Sequence, residues 1–299
     1  MTPRHLSPAL AFAVAAAGIG LFSIMDAFMK SLTLAIGVYN ALVWRTGTQT
    51  VLGGAAWLAA GRPRPSARAL RLHLIRGALT AAMAVLFFWG LARVPMAQAI
   101  TLAYIAPILA LIGGAVVLGE RVGRRVVFAS LAAFGGVLVL LLDPANRTLG
   151  ADALAGAAAV LASAVLYALN LLVARLQSQA AKPAEIAFLQ SVIVTAILLV
   201  AAPWLLALPP PGEWWKIAIG GTLAVASLFL LAWAYAHGEA GYLATTEYTS
   251  FVYAATLGLL VFGERLSPYT LTGAAIIVAA CLYAARRRDV VQTTLEPAA

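Results

Sequence analysis

Glu247 is a carboxylate in a place where a carboxylate needs a reason. It lies in the run Thr245-Thr246-Glu247-Tyr248-Thr249-Ser250, inside a long apolar stretch. Placing a charge in hydrocarbon costs at least about 2.5–3.5 kcal/mol, so such a group binds something or is held by something. Glu247 can hold a substrate ammonium or carry a proton, or it can be a structural acid bonded to neighbouring hydroxyls or paired with a buried arginine. Arg45, between Trp44 and the Gln49 one turn further on, poses the complementary choice: it meets a substrate carboxylate or it ties helices together. Asp26 and Lys30 are four residues apart, on one face near a helix end. That spacing reads as a structural or gate-closing pair, since an exposed pair of this kind adds only about 0.2–0.5 kcal/mol.

Polar stripes extend the candidate set. Ser163, Tyr167 and Asn170 recur at helical spacing, as do Gln98, Thr101 and Tyr104. Tyr242, Thr245, Thr246 and Thr249 form a third stripe, from which Glu247 points away on an ideal helix. Such stripes line a cavity or pack helices together through hydroxyls. Phe87 and Trp89 add rings, as do Phe229, Trp233 and Tyr235; rings suit a planar, partly apolar ligand and can hold an ammonium. The expected substrate-binding set is therefore Tyr104, Thr101, Gln98, Tyr167, Asn170, Trp89, Phe87, Trp233, Thr245, Glu247, Tyr248 and Arg45. Asp26 and Lys30 are expected as gate or structural residues.

Other chemistry lacks its residues. His5, His73 and His237 are far apart and show no metal-ligand spacing, and no nucleophile elbow or nucleotide-binding loop is present. No cofactor and no metal is expected, and no enzyme. The single cysteine, Cys281, excludes an internal disulfide.

The elements that position these residues are set by composition. Of the 299 residues 63% are hydrophobic and 10% charged, with mean hydropathy +0.94. A soluble domain needs roughly 25% charged residues to solvate its surface, so most of this surface meets lipid. Lipid cannot hydrogen-bond a backbone, which leaves helices or a closed barrel, and runs such as 153–166 and 186–202 lack the alternation of barrel strands. Breakers and charges divide the chain into spans at 8–28, 38–59, 73–92, 96–118, 126–142, 153–174, 185–206, 215–236, 240–262 and 270–285. The first span is read as a retained membrane helix and not a cleaved leader.

Net charge +9 would suggest nucleic acid in a soluble protein, but here the placement of charge matters more, and no nucleic-acid partner is expected. On the side of the N-terminus fall Arg4, Arg62, Arg64, Arg68, Arg71, Arg121, Arg124, Arg125, Arg175, Lys182 and Arg286 to Arg288. The opposite side has Lys30, Arg93, Arg147, Lys216 and Arg265, while Arg45 and Arg76 fall inside spans. Cytoplasmic loops carry the excess of Lys and Arg, which places both termini in the cytoplasm.

The chain also repeats itself. Leu118-Gly119-Glu120-Arg121 recurs as Phe262-Gly263-Glu264-Arg265, and in the same register Thr101 pairs with Thr245, Tyr104 with Tyr248, Gly114 with Gly258 and Val117 with Val261. Five spans per half is an odd number, so the halves cross the membrane in opposite senses. The fold expected is all-α and integral to the membrane, with ten transmembrane helices in two inverted five-helix repeats, residues 1–147 and 148–299. Inverted repeats build many secondary transporters, with the substrate near the midplane between them.

The stretch Phe87-Phe88-Trp89-Gly90-Leu91-Ala92-Arg93-Val94-Pro95-Met96-Ala97-Gln98-Ala99, with Tyr104, Pro107 and the Gly-Glu-Arg at 119–121, resembles the EamA-type drug/metabolite transporter pattern. Asp26 to Lys30 and Arg45 fall where that pattern has a polar or small residue, a lysine and an arginine. The likeness covers the whole chain, most strongly 76–143 and 237–285, and within the family it is similar to the bacterial aromatic amino-acid exporter. Phe251 takes the slot of Pro107 in the second half, so a proline kink is not carried over there. The resemblance implies a ten-helix carrier with a central cavity lined from both halves. The function expected is export of amino acids, aromatic ones first, or related metabolites across a bacterial inner membrane by alternating access. The alternatives are a channel-like facilitator or a carrier with a different cargo. A small molecule and the bilayer are the expected partners, and the protein is taken as monomeric.

Overall fold

The computed structural model describes residues 8–62, 64–118, 124–143, 150–178, 180–181, 183–237 and 243–285. Among these, the regular elements are all helical. The first, α1 (Pro8–Ala59), runs for 52 residues, about 78 Å at helical rise and more than twice a hydrocarbon core. It is two arms joined at Gly37, where the backbone leaves the helix at φ 78 and ψ 155. That conformation selects glycine, because a Cβ there would meet nothing within 4 Å and only the positive φ excludes a side chain. The sequence expectation of a connection over 29–37 is corrected: the helix continues to the kink, and Lys30 is buried inside it.

The other described helices of eight or more residues are α2 (Ala67–Leu91), α3 (Met96–Ala103), α4 (Ile105–Leu118), α5 (Arg124–Leu141), α6 (Ala151–Ser178), α7 (Pro183–Leu199), α8 (Trp214–His237), α9 (Thr249–Phe262) and α10 (Pro268–Ala285). Ser66 starts α2, its hydroxyl accepting the Ala69 N–H at 3.1 Å. Among the described residues four helices can cross a bilayer by length and composition, Ala9–Ala59, Ala67–Leu91, Ala151–Ala174 and Pro211–His237, and other apolar helices are shorter. Some are short because they are broken. Pro107 has no N–H to give the Ala103 carbonyl one turn back, and the chain breaks between α3 and α4 at Tyr104.

A second break needs no proline. Residues Ala244–Tyr248 form a 3₁₀ turn that leads into α9. Hydroxyls three residues on hold it: Thr246 donates to the Leu243 carbonyl at 2.6 Å, Thr249 to Thr246 at 2.6 Å and Ser250 to Glu247 at 2.5 Å. Such back-bonding competes with the regular ladder and favours the tighter turn. With three residues per turn, Glu247 shares a face with Ser250 and still stands apart from Thr245 and Thr246.

The main packings pair α1 with α8, α2 with α6 and α5 with α10; α1 and α2 both touch α7, α4 touches α6, and α9 touches α1 and α3. Small residues let the backbones approach. A Cβ on Gly90 would stand 2.5 Å from the Gly156 carbonyl, and one on Gly136 would stand 3.0 Å from that of Gly273. Close backbone packing of this kind is how helices associate where lipid removes the hydrophobic drive. Large apolar side chains such as Val51, Leu131 and Leu260 are more than 60% exposed, as a lipid-facing surface requires.

Candidate functional site

At one end the bundle is latched by charge. Lys30 Nζ lies 2.5 Å from Glu264 Oε1 and donates a second bond to the Val94 carbonyl at 2.7 Å. The other carboxylate oxygen of Glu264 accepts the Met96 N–H at 2.7 Å, at the positive end of α3. Gly263 caps α9 with φ 67 and turns the chain back, so that the Glu264 N–H reaches the Gly258 carbonyl at 2.9 Å. A Cβ on Gly258 would sit 2.5 Å from the Glu264 carboxylate, which accounts for a glycine there in step with the Gly-Glu-Arg motif. The other copy of the motif, residues 119–121, lies outside the described residues. The expected pairing of Asp26 with Lys30 is corrected: Lys30 belongs to Glu264.

Asp26 lies instead within electrostatic reach of Arg45. Both are buried, at 2% and 8% exposure, and each influences the other electrostatically. Among the described residues Asp26 Oδ1 and Arg45 Nε have no hydrogen-bond partner, Arg45 Nη1 is 3.9 Å from Met25 Sδ, and the guanidinium lies 5.5 Å from the Phe88 ring centre. Arg45 therefore stands in packed protein.

Glu247 stands in the open. Its side chain is solvent-accessible, yet its electrostatic neighbours are the hydroxyls of Tyr167 on α6, Tyr235 on α8, Tyr104 and Tyr248. A carboxylate on the lipid face would have no such ring, so Glu247 borders an opening between helices. Tyr104 and Tyr248 close one side of it with their rings edge to face at 5.4 Å, and Tyr104 shares a 2.7 Å hydrogen bond with Ser250.

A buried polar chain, missed in the sequence, ties α2 to α6 and α7. Arg76 Nη1 donates to Gln177 Oε1 at 2.5 Å, Gln177 donates to His73 Nδ1 at 2.6 Å, and His73 Nε2 meets Glu185 Oε1 at 3.1 Å. Arg76 Nε also donates to Asn170 Oδ1 at 3.2 Å, and Asn170 and Gln190 both donate to the Thr80 hydroxyl, at 2.6 and 2.8 Å. The sequence signal was present: His73, Arg76 and Thr80 recur at helical spacing on α2, as do Asn170 and Gln177 on α6.

The remaining expected residues divide. Tyr167 is 37% exposed beside Glu247, whereas Asn170 is buried against α2 and Ser163 donates to the Met83 carbonyl at 2.8 Å. Gln98 and Thr101 are buried, and the Thr101 hydroxyl returns to its own helix at the Ala97 carbonyl, 2.7 Å away. Thr101 is thus enclosed among packed helices. Trp89 carries the Arg93 guanidinium 3.6 Å above its ring and borders a separate groove of about 480 Å³ with Thr33, Gly37 and Asp152. Phe87 packs edge to face on Phe88 at 5.2 Å, and Trp233 stacks on His237 at 4.4 Å. Thr245 lies in the 3₁₀ turn, and Tyr242 lies outside the described residues. Among the described residues no group of three metal-ligating side chains occurs.

An all-helical bundle with an apolar exterior, a charged latch at one end and an accessible carboxylate between its helices has the build of a membrane carrier. The chain belongs to the EamA-like transporter family, whose model matches residues 8–142 and again 154–286. It is 28% identical over 272 residues to the pseudopaline exporter of Pseudomonas aeruginosa, a match covering 89% of this chain and 93% of that protein. It is 30% identical over 217 residues to the riboflavin transporter of Rhizobium johnstonii, covering 72% and 70% of the two chains. A solved crystal structure superposes with TM-score 0.62 at 22% identity over 93% of this chain and 98% of the other, a likeness of fold alone. The protein is thus a multi-pass membrane protein of a transporter family that handles small molecules, and its relatives are transporters and not enzymes.

Proposed function

We propose that the protein is a secondary transporter that exports amino acids, aromatic ones among them, or related small metabolites across the bacterial inner membrane by alternating access. The observation that carries this reading is Glu247: an accessible carboxylate ringed by tyrosines, away from the latched end. An ammonium set against that carboxylate gains a charge-assisted bond, and the surrounding rings accept a planar side chain. The named relatives carry pseudopaline and riboflavin, so the family tolerates dissimilar cargo and the site must set the choice.

The two-state mechanism rests on ten spans in two inverted halves, divided near 147/148. Three observations support it. The family model matches twice in tandem, with its break at 143–153. Counting the arms of α1 as spans 1 and 2, and α3 with α4 as span 4, the packings map onto one another when the halves are exchanged: α1 on α8 answers to α6 on α2, and α1 on α9 answers to α6 on α4. Tyr104 and Tyr248, 144 positions apart and equivalent in the repeat, touch each other, as equivalent residues do only near a two-fold axis. With both termini cytoplasmic, the Lys30–Glu264 latch faces the periplasm and the Glu247 opening faces the cytoplasm.

Proteoliposomes carry the test. Uptake of labelled phenylalanine or tryptophan should saturate and accelerate when unlabelled amino acid is loaded on the far side. Absence of counterflow for every amino acid sinks the cargo assignment, and flux linear in substrate without trans-stimulation sinks the carrier mechanism.

A further inference from the structure

We infer that the groove beside the latch is a second ligand site, taking a small zwitterion whose acid end meets Arg93 and whose ammonium meets Asp152. This goes beyond the carrier reading and does not depend on it. The groove lies where the two arms of α1 join at Gly37, against the end of α2 and the start of α6. Its volume of about 480 Å³ suits a small molecule. Two of its walls are the segments that the latch joins. Thr33 follows Lys30 by three residues on α1, and Arg93 precedes Val94, whose carbonyl accepts the Lys30 bond at 2.7 Å. None of the residues lining the groove belongs to the ring of tyrosines around Glu247.

Three polar side chains line this groove. Thr33 is 8% exposed, and its hydroxyl is buried with no hydrogen-bond partner among the described residues. Thr46, Thr50, Thr101 and Thr222 each return the hydroxyl to the carbonyl one turn back, as helical threonines do, and Thr33 does not. A buried hydroxyl in that state is costly unless the groove supplies its partner. Arg93 is aimed by its own helix end: Nη1 donates to the Trp89 carbonyl at 2.9 Å, and the guanidinium lies 3.6 Å from the centre of the Trp89 ring. These contacts fix its direction without neutralising it, since neither Arg93 nor Asp152 belongs to an ion pair among the described residues. A Cβ on Gly156 would stand 2.7 Å from the Cβ of Arg93, so Arg93 packs on α6 one turn after Asp152, about 6 Å along the same face. One cation and one anion thus border one groove within the span of a single small ligand. An acid and an ammonium on one molecule satisfy both, whereas a simple amine or a simple acid leaves one of them without its partner. The start of α6 favours an acid in its first turn, but that preference asks for neither Arg93 nor the orphaned hydroxyl. A free amino acid and the phosphoethanolamine headgroup of a lipid share this pair of charges.

The test reads occupancy of the groove directly. In a Cys281→Ser background, Leu34→Cys puts a thiol on the groove wall and Leu208→Cys puts one on exposed chain outside it. In detergent, saturating phenylalanine should slow maleimide labelling at position 34 at least fivefold and leave position 208 unchanged. Phenethylamine and 3-phenylpropionate, which keep the shape and lose one charge, should need at least tenfold higher concentrations. Arg93→Gln should make phenylalanine no better than phenethylamine, and Asp152→Asn should make it no better than 3-phenylpropionate. Arg93→Lys, which keeps the charge, should fall between and serves if Arg93→Gln fails to fold. A second arm compares nanodiscs of phosphatidylethanolamine with nanodiscs of phosphatidylglycerol. Slower labelling in phosphatidylethanolamine alone, lost in Arg93→Gln and Asp152→Asn, assigns the site to the lipid headgroup; protection by phenylalanine assigns it to a free zwitterion. Protection in neither arm, or protection that survives both substitutions, overturns the inference.

Discussion

Lys30 and Glu264 are 234 residues apart in sequence and 2.5 Å apart in space, where they join the first arm of α1 to the turn after α9. Removing one partner of a buried pair costs about 3–5 kcal/mol, because the other charge stays buried without compensation. Glu264→Gln should therefore loosen this end. In a Cys281→Ser background, a cysteine placed at the buried Ala97 should react with a water-soluble maleimide several times faster once Glu264 is neutralised. The swap of Lys30→Glu with Glu264→Lys should recover part of the protection. Equal reactivity in all three proteins would show that the pair does not hold this end shut.

The His73 side chain is fully buried between Gln177 and Glu185, and joins α2, α6 and α7. His73→Ala leaves two buried polar groups without partners, each worth about 1–3 kcal/mol. Its thermal midpoint in detergent should fall well below that of Glu185→Gln, which keeps an acceptor for the imidazole N–H. Equal midpoints would mean that water replaces the ring.

Gly90 and Gly156 set the spacing of α2 and α6. A valine at Gly90 drives a Cβ to 2.5 Å from the Gly156 carbonyl, whereas a Cβ at Gly135 meets nothing within 4 Å. Gly90→Val should lose about 1–3 kcal/mol or more, and Gly135→Val should change stability little. Comparable losses in unfolding measurements would rule out the close approach of these helices.

Tyr104 and Ser250 share a 2.7 Å bond between the two broken helices. A double-mutant cycle of Tyr104→Phe with Ser250→Ala should give a coupling of about 0.5–1.5 kcal/mol in stability. Additive effects would mean that the two hydroxyls do not depend on each other.

Much of the fold was legible because in lipid each apolar segment must satisfy its own backbone, so span and helix coincide without knowledge of neighbours. The breaks were half legible. Pro107 announces the one at Tyr104, but the 3₁₀ turn at Ala244–Tyr248 depends on hydroxyls choosing carbonyls three residues back, a choice helical sequences leave open. Glu247 stood out as costly wherever it pointed. The surroundings of Thr101 and Trp89 were not legible, because a polar or aromatic residue on a helix does not say which neighbour its face will meet.

Sequence alone determined an all-helical membrane chain, a repeated Gly-Glu-Arg and a carboxylate that needed a reason, since those follow from local composition and from self-comparison. Only the tertiary structure decided that Lys30 answers to Glu264, that Arg45 is packed away and that Arg76 bonds to Asn170 and Gln177 on α6. The physical reason is that a charge in a bilayer interior takes its meaning from its partners, and partners on different helices are set by packing across the whole bundle.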